Sequence, residues 1–151
     1  MRNPAIALLT PLFSPLDQSY DPLIVRLVQL LEPELDAQLI KERITAMRSQ
    51  GTEFIGVFEG ALAGALLGIA AISWRTHCFA GRVAFVENVV FEPHARQRGL
   101  GERLMDWLEH YAKRQLCSMI TLDTYRRNVR ARTFYERLGY DPRGVHFVKS
   151  L

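Results

Sequence analysis

Apolar residues recur along this chain with two different periods, and the points where the period changes predict its elements. Residues Ala5 to Leu12 are mostly apolar and predict a first strand ending at Pro11 or near Pro15. Leu23, Ile24, Leu27, Leu30 and Leu31 then fall at helical spacing as far as Pro33. Leu35, Leu39, Ile40, Ile44 and Met47 repeat the pattern until Gln50-Gly51, a natural helix stop. Each helix carries one apolar stripe, as a helix packed on a sheet should. Phe54 to Phe58 and Leu62 to Trp74 read as strands joined into a hairpin by Glu59-Gly60. Arg82 to Phe91 is a further strand that stops before Pro93, and together these strands predict an antiparallel meander.

From Leu100 the period becomes 3.6. Leu100, Leu104, Trp107, Leu108 and Tyr111 lie on one face, with Glu102, Arg103, Asp106 and Glu109 elsewhere, so a long amphipathic helix is expected. Met119 to Thr124 reads as a short strand, Val129 to Leu138 as a helix stopped by Gly139, and Val145 to Val148 as a closing strand. Strands first, then strand, helix and strand in alternation, predict an α+β fold with at least one parallel crossover around the Leu100 helix. With 151 residues, 48% hydrophobic, and no repeats or linkers, residues 1–151 are expected to form a single domain.

Composition narrows the class. Cys78 and Cys117 are the only cysteines, too few for a disulfide framework or a four-ligand zinc site, which points to a reduced, cytoplasmic setting. The longest apolar stretch, Ala61 to Ser73, falls short of the ~20 residues of a membrane span. Met1-Arg2-Asn3-Pro4 does not open a signal peptide. The net charge of +3 is unevenly placed. Residues 1–91 hold 7 Lys+Arg against 9 Asp+Glu, a net of −2, whereas residues 92–151 hold 12 against 7, a net of +5. That asymmetry suggests an anionic partner for the C-terminal part, either nucleic acid or a phosphate-bearing small molecule.

The segment Glu87 to Gly101 is the most informative. It is a strand, a proline-ended loop, and a Gly99-Leu100-Gly101 turn that opens the best helix of the chain. Glycines at a helix start let backbone N–H groups approach a ligand, and those groups with the helix dipole make an anion site. Arg96 and Arg98 add donors suited to phosphate oxygens. A tight strand-to-helix turn alone would also use these glycines. Neither the Rossmann pattern nor a P-loop ending in Gly-Lys-Ser/Thr is present.

Pro93-x-x-Arg96-x-x-Gly99-Leu100-Gly101 resembles the acetyl-CoA signature of the GNAT acyltransferase superfamily. A second block, Leu122-Asp123-Thr124 followed by Asn128-x-x-Ala131-x-x-Phe134-Tyr135-x-x-Leu138-Gly139-Tyr140, is similar to the other motif of that family, in the right order and spacing. The resemblance spans nearly the whole chain. It implies a mixed, mostly antiparallel sheet of about 6–7 strands with helices on both faces. It also implies a bulged strand at Glu87 to Phe91 that splays from a parallel neighbour at Met119 to Thr124.

By the same resemblance, acetyl-CoA is the co-substrate and no metal takes part. Backbone groups of Val89, Val90 and Phe91 would hold the pantetheine arm. Amides of Arg96, Gln97, Arg98, Gly99, Leu100, Gly101 and Glu102, with Arg103 beside them, would hold the pyrophosphate. Asn128, Ala131 and Phe134 would face the cofactor, although Phe134 is equally at home in a core. Tyr135 matches the tyrosine that protonates the leaving thiolate, and a phenol with an ordinary pKa near 10 can donate at neutral pH. An amide of Val89 or Val90 would stabilise the oxyanion.

Glu87 is the candidate base, placed on one strand face with Val89 and Phe91 by the two-residue period, with plain ion pairing as the alternative. Cys117 does not fit a nucleophile, and His94, His110 and His146 show no partner pattern. Arg126, Arg127, Arg130 and Arg132 could mark a nucleic-acid surface, a solvated helix start, or, at Arg126 or Arg132, a contact to the cofactor 3′-phosphate. Without interleaved aromatics, nucleic acid is not the expected partner.

These residues imply an N-acetyltransferase that moves acetyl directly to a primary amine of a small molecule in a ternary complex. A protein or peptide acetyltransferase, a non-catalytic coenzyme A sensor and an RNA-binding module stay open as alternatives, as does a homodimer. The C-terminal block ending His146-Phe147-Val148-Lys149-Ser150-Leu151 has a weak similarity to aminoalkylphosphonate acetyltransferases. The acceptor pocket is expected around Leu23 to Arg48 and Trp74 to Gly81, where the acidic balance favours a cationic amine.

Overall fold

The computed structural model describes residues 11–60 and 64–151. Five strands, β1 (Pro11–Leu16), β2 (Glu53–Glu59), β3 (Leu66–His77), β4 (Gly81–Phe91) and β5 (Met119–Leu122), form one sheet in sequential order among the described residues. The helices are α1 (Asp21–Leu31), α2 (Ala37–Ser49), α3 (Leu100–Arg114) and α4 (Val129–Arg137). β1 to β4 are antiparallel neighbours. β5, reached through α3, joins β4 as the parallel member. The chain divides into two compact units, Met1–Thr121 and Leu122–Leu151.

In the first unit, period-two alternation gives the sheet two apolar faces. Ile24, Leu27 and Val28 of α1, with Ile40 and Ile44 of α2, pack on Phe54, Phe58, Ile69, Ala71 and Val90 on one face. On the opposite face Leu67 packs with Ala95 and with Leu100 at the start of α3. An aromatic row continues that layer: Phe13 with Trp107 at 6.3 Å and Trp74 with Tyr111 at 5.7 Å between ring centres. Glu53 accepts from Tyr111 Oη at 2.7 Å and from Trp74 Nε1 at 3.3 Å, which satisfies the polar tips of those two rings.

Helix ends follow their residues. Asp36 caps α2 by accepting from the amides of Gln38 and Leu39, and Gly51 follows its end at φ +87°. The half-buried Arg48 of α2 donates to Asp21 at the head of α1 and to the Leu16 carbonyl, so β1, α1 and α2 are joined at one point.

One expectation is corrected, and parts of two others lie outside the described residues. The first strand runs through both prolines from Pro11 to Leu16, while Ala5 to Thr10 lie outside the described residues. Among the described residues β1 is an edge strand, and Pro11 and Pro15 share one parity, so the missing N–H groups fall on the side away from β2. The expected start of β3 at Leu62 also lies outside the described residues, and β3 is described from Leu66. The expected closing strand at Val145 to Val148 is irregular chain, so the strand count is five rather than six or seven among the described residues. Phe147 is 91% exposed there, and beyond the end of β5 the second unit has no strand to supply a ladder.

The pairing of β3 with β4 depends on Gly68, since a methyl group there would run into the Phe91 ring and, at 2.8 Å, the Val90 carbonyl oxygen. Gly68→Ala should therefore lower the unfolding free energy by about 1–3 kcal/mol, read as a lower urea midpoint at unchanged slope. Burial, then the bond to Glu53, pushes the Tyr111 phenol up to about 12. A phenol whose pKa is raised on folding contributes stability that is whole below pH 10 and lost as pH climbs towards 12. The wild type should thus lose stability more steeply than Tyr111→Phe across that window, as seen in denaturant melts at stepped pH.

Candidate active site

β4 carries one residue more than its partner. Glu87 lies opposite Ala71 and Val90 opposite Ile69, so Asn88 and Val89 together face Ala70. Asn88 absorbs the extra residue at φ +53°, a left-handed conformation that asparagine tolerates better than most residues. A bulge leaves a residue outside the ladder and frees backbone groups there. It also changes which side chains share a face. Two-residue alternation grouped Glu87 with Val89 and Phe91, whereas the extra residue puts Glu87 with Val90, on the side of Ala71 and Ile69, and turns Phe91 to the opposite side. Glu87 thus belongs to the sheet face that α1 and α2 cover.

β5 is four residues long against eleven for β4. Beside this pairing, Ser118 N donates to the Arg82 carbonyl at 2.9 Å and Thr121 Oγ1 to the Ala84 carbonyl at 3.1 Å.

After β4 the chain enters a tight loop. The Glu92 amide donates to the Leu67 carbonyl at 2.8 Å, and Pro93 to Ala95 make a single 3-10 turn. Gln97 and Gly99 both adopt positive φ, +61° and +72°, and Gly99 is the N-cap of α3. A glycine cap supplies no side-chain acceptor, and the amides of Leu100, Gly101 and Glu102 have no partner one turn back in the helix. Left-handed residues alternating with ordinary ones turn successive N–H groups into a concavity for an anion, with the positive end of α3 behind it. Leu100 is anchored in the apolar cluster while Arg96, Gln97, Arg98 and Gly99 are exposed.

The arginines of this loop are already engaged. Arg96 Nε donates to the Phe91 carbonyl at 3.2 Å, and Arg98 Nη2 meets Glu59 Oε1 of β2 at 3.1 Å. Each of these contacts uses one of the five N–H donors of its guanidinium, so the two arginines brace the loop alongside its exposed backbone amides.

The second unit holds the other motif. Asn128 Oδ1 accepts from the Ala131 amide at 3.1 Å, so its side chain caps α4. Tyr135 is half-buried, stacked edge-on with Phe134 at 5.1 Å and with Tyr140 at 5.7 Å. Burial pushes its phenol above the usual 10. Gly139 at φ +90° ends the helix, with Tyr140 N bonded to the Tyr135 carbonyl at 3.0 Å, the pattern of a Schellman stop.

Sequence reasoning missed three partnerships, because each joins residues far apart along the chain. Arg26 of α1 donates to Glu92, Arg98 is held by Glu59, and His146 Nδ1 meets Asp123 Oδ2 at 2.8 Å, which corrects the expectation that His146 has no partner. Among the described residues no group of three or more His, Cys, Asp or Glu is arranged to hold a metal, and no helix is long and apolar enough to cross a membrane.

A bulged strand running into an amide-lined helix start offers backbone donors to an anionic ligand. Residues 20–140 match the model of the Acetyltransferase (GNAT) family, and the chain belongs to that family. Its members use acetyl-CoA. The chain is 35% identical over 72 residues to an uncharacterized N-acetyltransferase of Bacillus subtilis (strain 168), YhfO, covering 46% of this chain and 48% of that protein. It is 38% identical over 64 residues to aminoglycoside N(6′)-acetyltransferase type 1 of Klebsiella aerogenes, covering 40% and 42%. The match thus spans less than half the length of each of these curated relatives. The fold is similar, at a TM-score of 0.74 and 18% identity over 94% of this chain and 99% of the other, to AAC(6′)-Iy in complex with the bisubstrate analog CoA-S-monomethyl-acetylneamine.

A Cβ at position 99 would meet nothing within 4 Å, so the need for glycine there is conformational. Gly99→Val should cost about 1–2 kcal/mol of unfolding free energy and Gly99→Asn distinctly less, a ranking that urea melts will test.

Proposed function

We propose that this protein transfers acetyl from acetyl-CoA to a primary amine of a small molecule, in a ternary complex and without a covalent enzyme intermediate. The observation that carries the proposal is the extra residue at Asn88-Val89 followed by the positive-φ loop Gln97 to Gly99, in a chain that matches the family from residue 20 to 140. The bulge supplies backbone donors at Val89, Val90 and Phe91 for the pantetheine arm, one of which, at Val89 or Val90, stabilises the oxyanion. Amides from Arg96 to Glu102 take the pyrophosphate.

Glu87 accepts a proton from the ammonium, directly or through water, on the face covered by α1 and α2. The amine nitrogen bonds to the thioester carbonyl carbon, the carbon–sulfur bond breaks, Tyr135 delivers its proton to the departing sulfur, and the second proton shed by the new amide nitrogen restores the Tyr135 phenol through solvent. A phenol held above its usual pKa by burial is fully protonated at neutral pH, as that role requires. Asn128 orients the start of α4, with Ala131 and Phe134 on the cofactor side. An aminoglycoside acetyltransferase among the relatives supports an amine of small-molecule size as acceptor.

A free-thiol assay with acetyl-CoA across an amine panel tests the reading. Thiol release with at least one amine is expected, and coenzyme A binding without turnover on any amine would overturn it. Tyr135→Phe should lower kcat by about 10²-fold with coenzyme A affinity retained, and Glu87→Gln should lower kcat by a similar factor. Undiminished turnover in either variant removes that residue from its role.

A further inference from the structure

A buried carboxylate that the proposed reaction does not use stands where β4 becomes the anion loop. The Glu92 backbone is fixed on both sides, its amide donating to Leu67 at 2.8 Å and its carbonyl accepting from Ala95 at 2.9 Å. Its side chain is 8% exposed and accepts from Arg26 Nη2 of α1, itself 55% exposed. A carboxylate withdrawn from water needs a partner, and Arg26 is the cation placed on it. Glu92 is the first residue of the loop, so the ion pair fixes the loop to α1 at the end opposite Gly99.

We infer that Arg26 is a positioning residue for the anion loop: by holding Glu92 it keeps the amides from Gln97 to Gly101 in binding geometry. The inference rests on the acetyl-CoA reading above, so its test carries a readout that needs no ligand. Coenzyme A is titrated by calorimetry into the wild type, Arg26→Ala, Arg26→Lys and the double variant Arg26→Ala with Glu92→Gln. Hydrogen exchange of the unliganded proteins is followed in parallel.

Arg26→Ala should weaken coenzyme A at least about tenfold, within the ~10²-fold that a misplacement of about 1 Å can cost a site. Arg26→Lys should recover part of that loss. The double variant should return to within about threefold of the wild type, because a neutral amide no longer needs a buried cation. Exchange at Ala95 to Gly101 should quicken in Arg26→Ala while β2 keeps its protection. An unchanged affinity in Arg26→Ala, a loss that Glu92→Gln does not relieve, or a loop whose exchange is unaltered would each overturn the inference. If the wild type fails to bind coenzyme A, the acetyl-CoA reading falls, and the exchange data still decide whether Arg26 holds the loop.

Discussion

The extra residue in β4 is the constraint from which the site is built. Without it, continuous alternation would send Glu87, Val89 and Phe91 to one face and Val90 to the other. With it, Glu87 and Val90 share the face covered by α1 and α2, and Phe91 crosses to the α3 side, where it lies over Gly68. One backbone irregularity thus puts the candidate base on the side of the two N-terminal helices and frees main-chain groups beside it. Asn88, at φ +53°, accepts the left-handed conformation this demands. Gly68 completes the arrangement by leaving room for the ring opposite.

The loop after β4 depends on that strand ending where it does. Three ties fix it: Glu92 to Leu67 and to Arg26, Arg96 back to the Phe91 carbonyl, and Arg98 across to Glu59. Ala95 and Leu100 pin its two halves to the apolar cluster around Leu67. A backbone held so closely can present N–H groups in one geometry, and preorganised amides meet an anion without the ordering cost that long flexible side chains carry.

Much of this was legible from pattern. The long stripe of α3 begins at Leu100 as its spacing predicts, and the Gln50-Gly51 and Gly139 stops fall where glycine supplies positive φ. Local signals of this kind survive folding because they depend on residues a turn apart. The bulge position was anticipated from the family resemblance, but its effect on Glu87 was not. An inserted residue reverses every later assignment of faces, and periodicity alone cannot register it. The first strand ends at Leu16, next to Pro15 as expected, and runs through Pro11 because proline stops a strand only where its N–H side has a neighbour. Val145 to Val148 alternates like a strand, yet strands need partners, and its own unit offers none beyond the end of β5. Long-range ion pairs such as Arg26 with Glu92 carry no local signal at all.

The basic excess of the last sixty residues also changes meaning once partners are assigned. Arg98 is paired with Glu59, Arg132 lies 3.9 Å from Glu136, and Arg143 pairs with Asp141. Arg127 sits over the Tyr125 ring at 5.1 Å and Arg137 over Phe134 at 5.8 Å. The formal count of +5 already subtracts Glu136 and Asp141, whereas Glu59, outside that stretch, offsets one further charge at Arg98. The attraction that remains specific comes from oriented peptide dipoles between Arg96 and Glu102, whose strength falls off within a turn of the helix and whose direction the fold fixes. Diffuse positive charge would draw any polyanion. A concave set of amides at one helix end suits a compact anion better than a diffuse one, and Arg96 and Arg98 brace the loop that carries it.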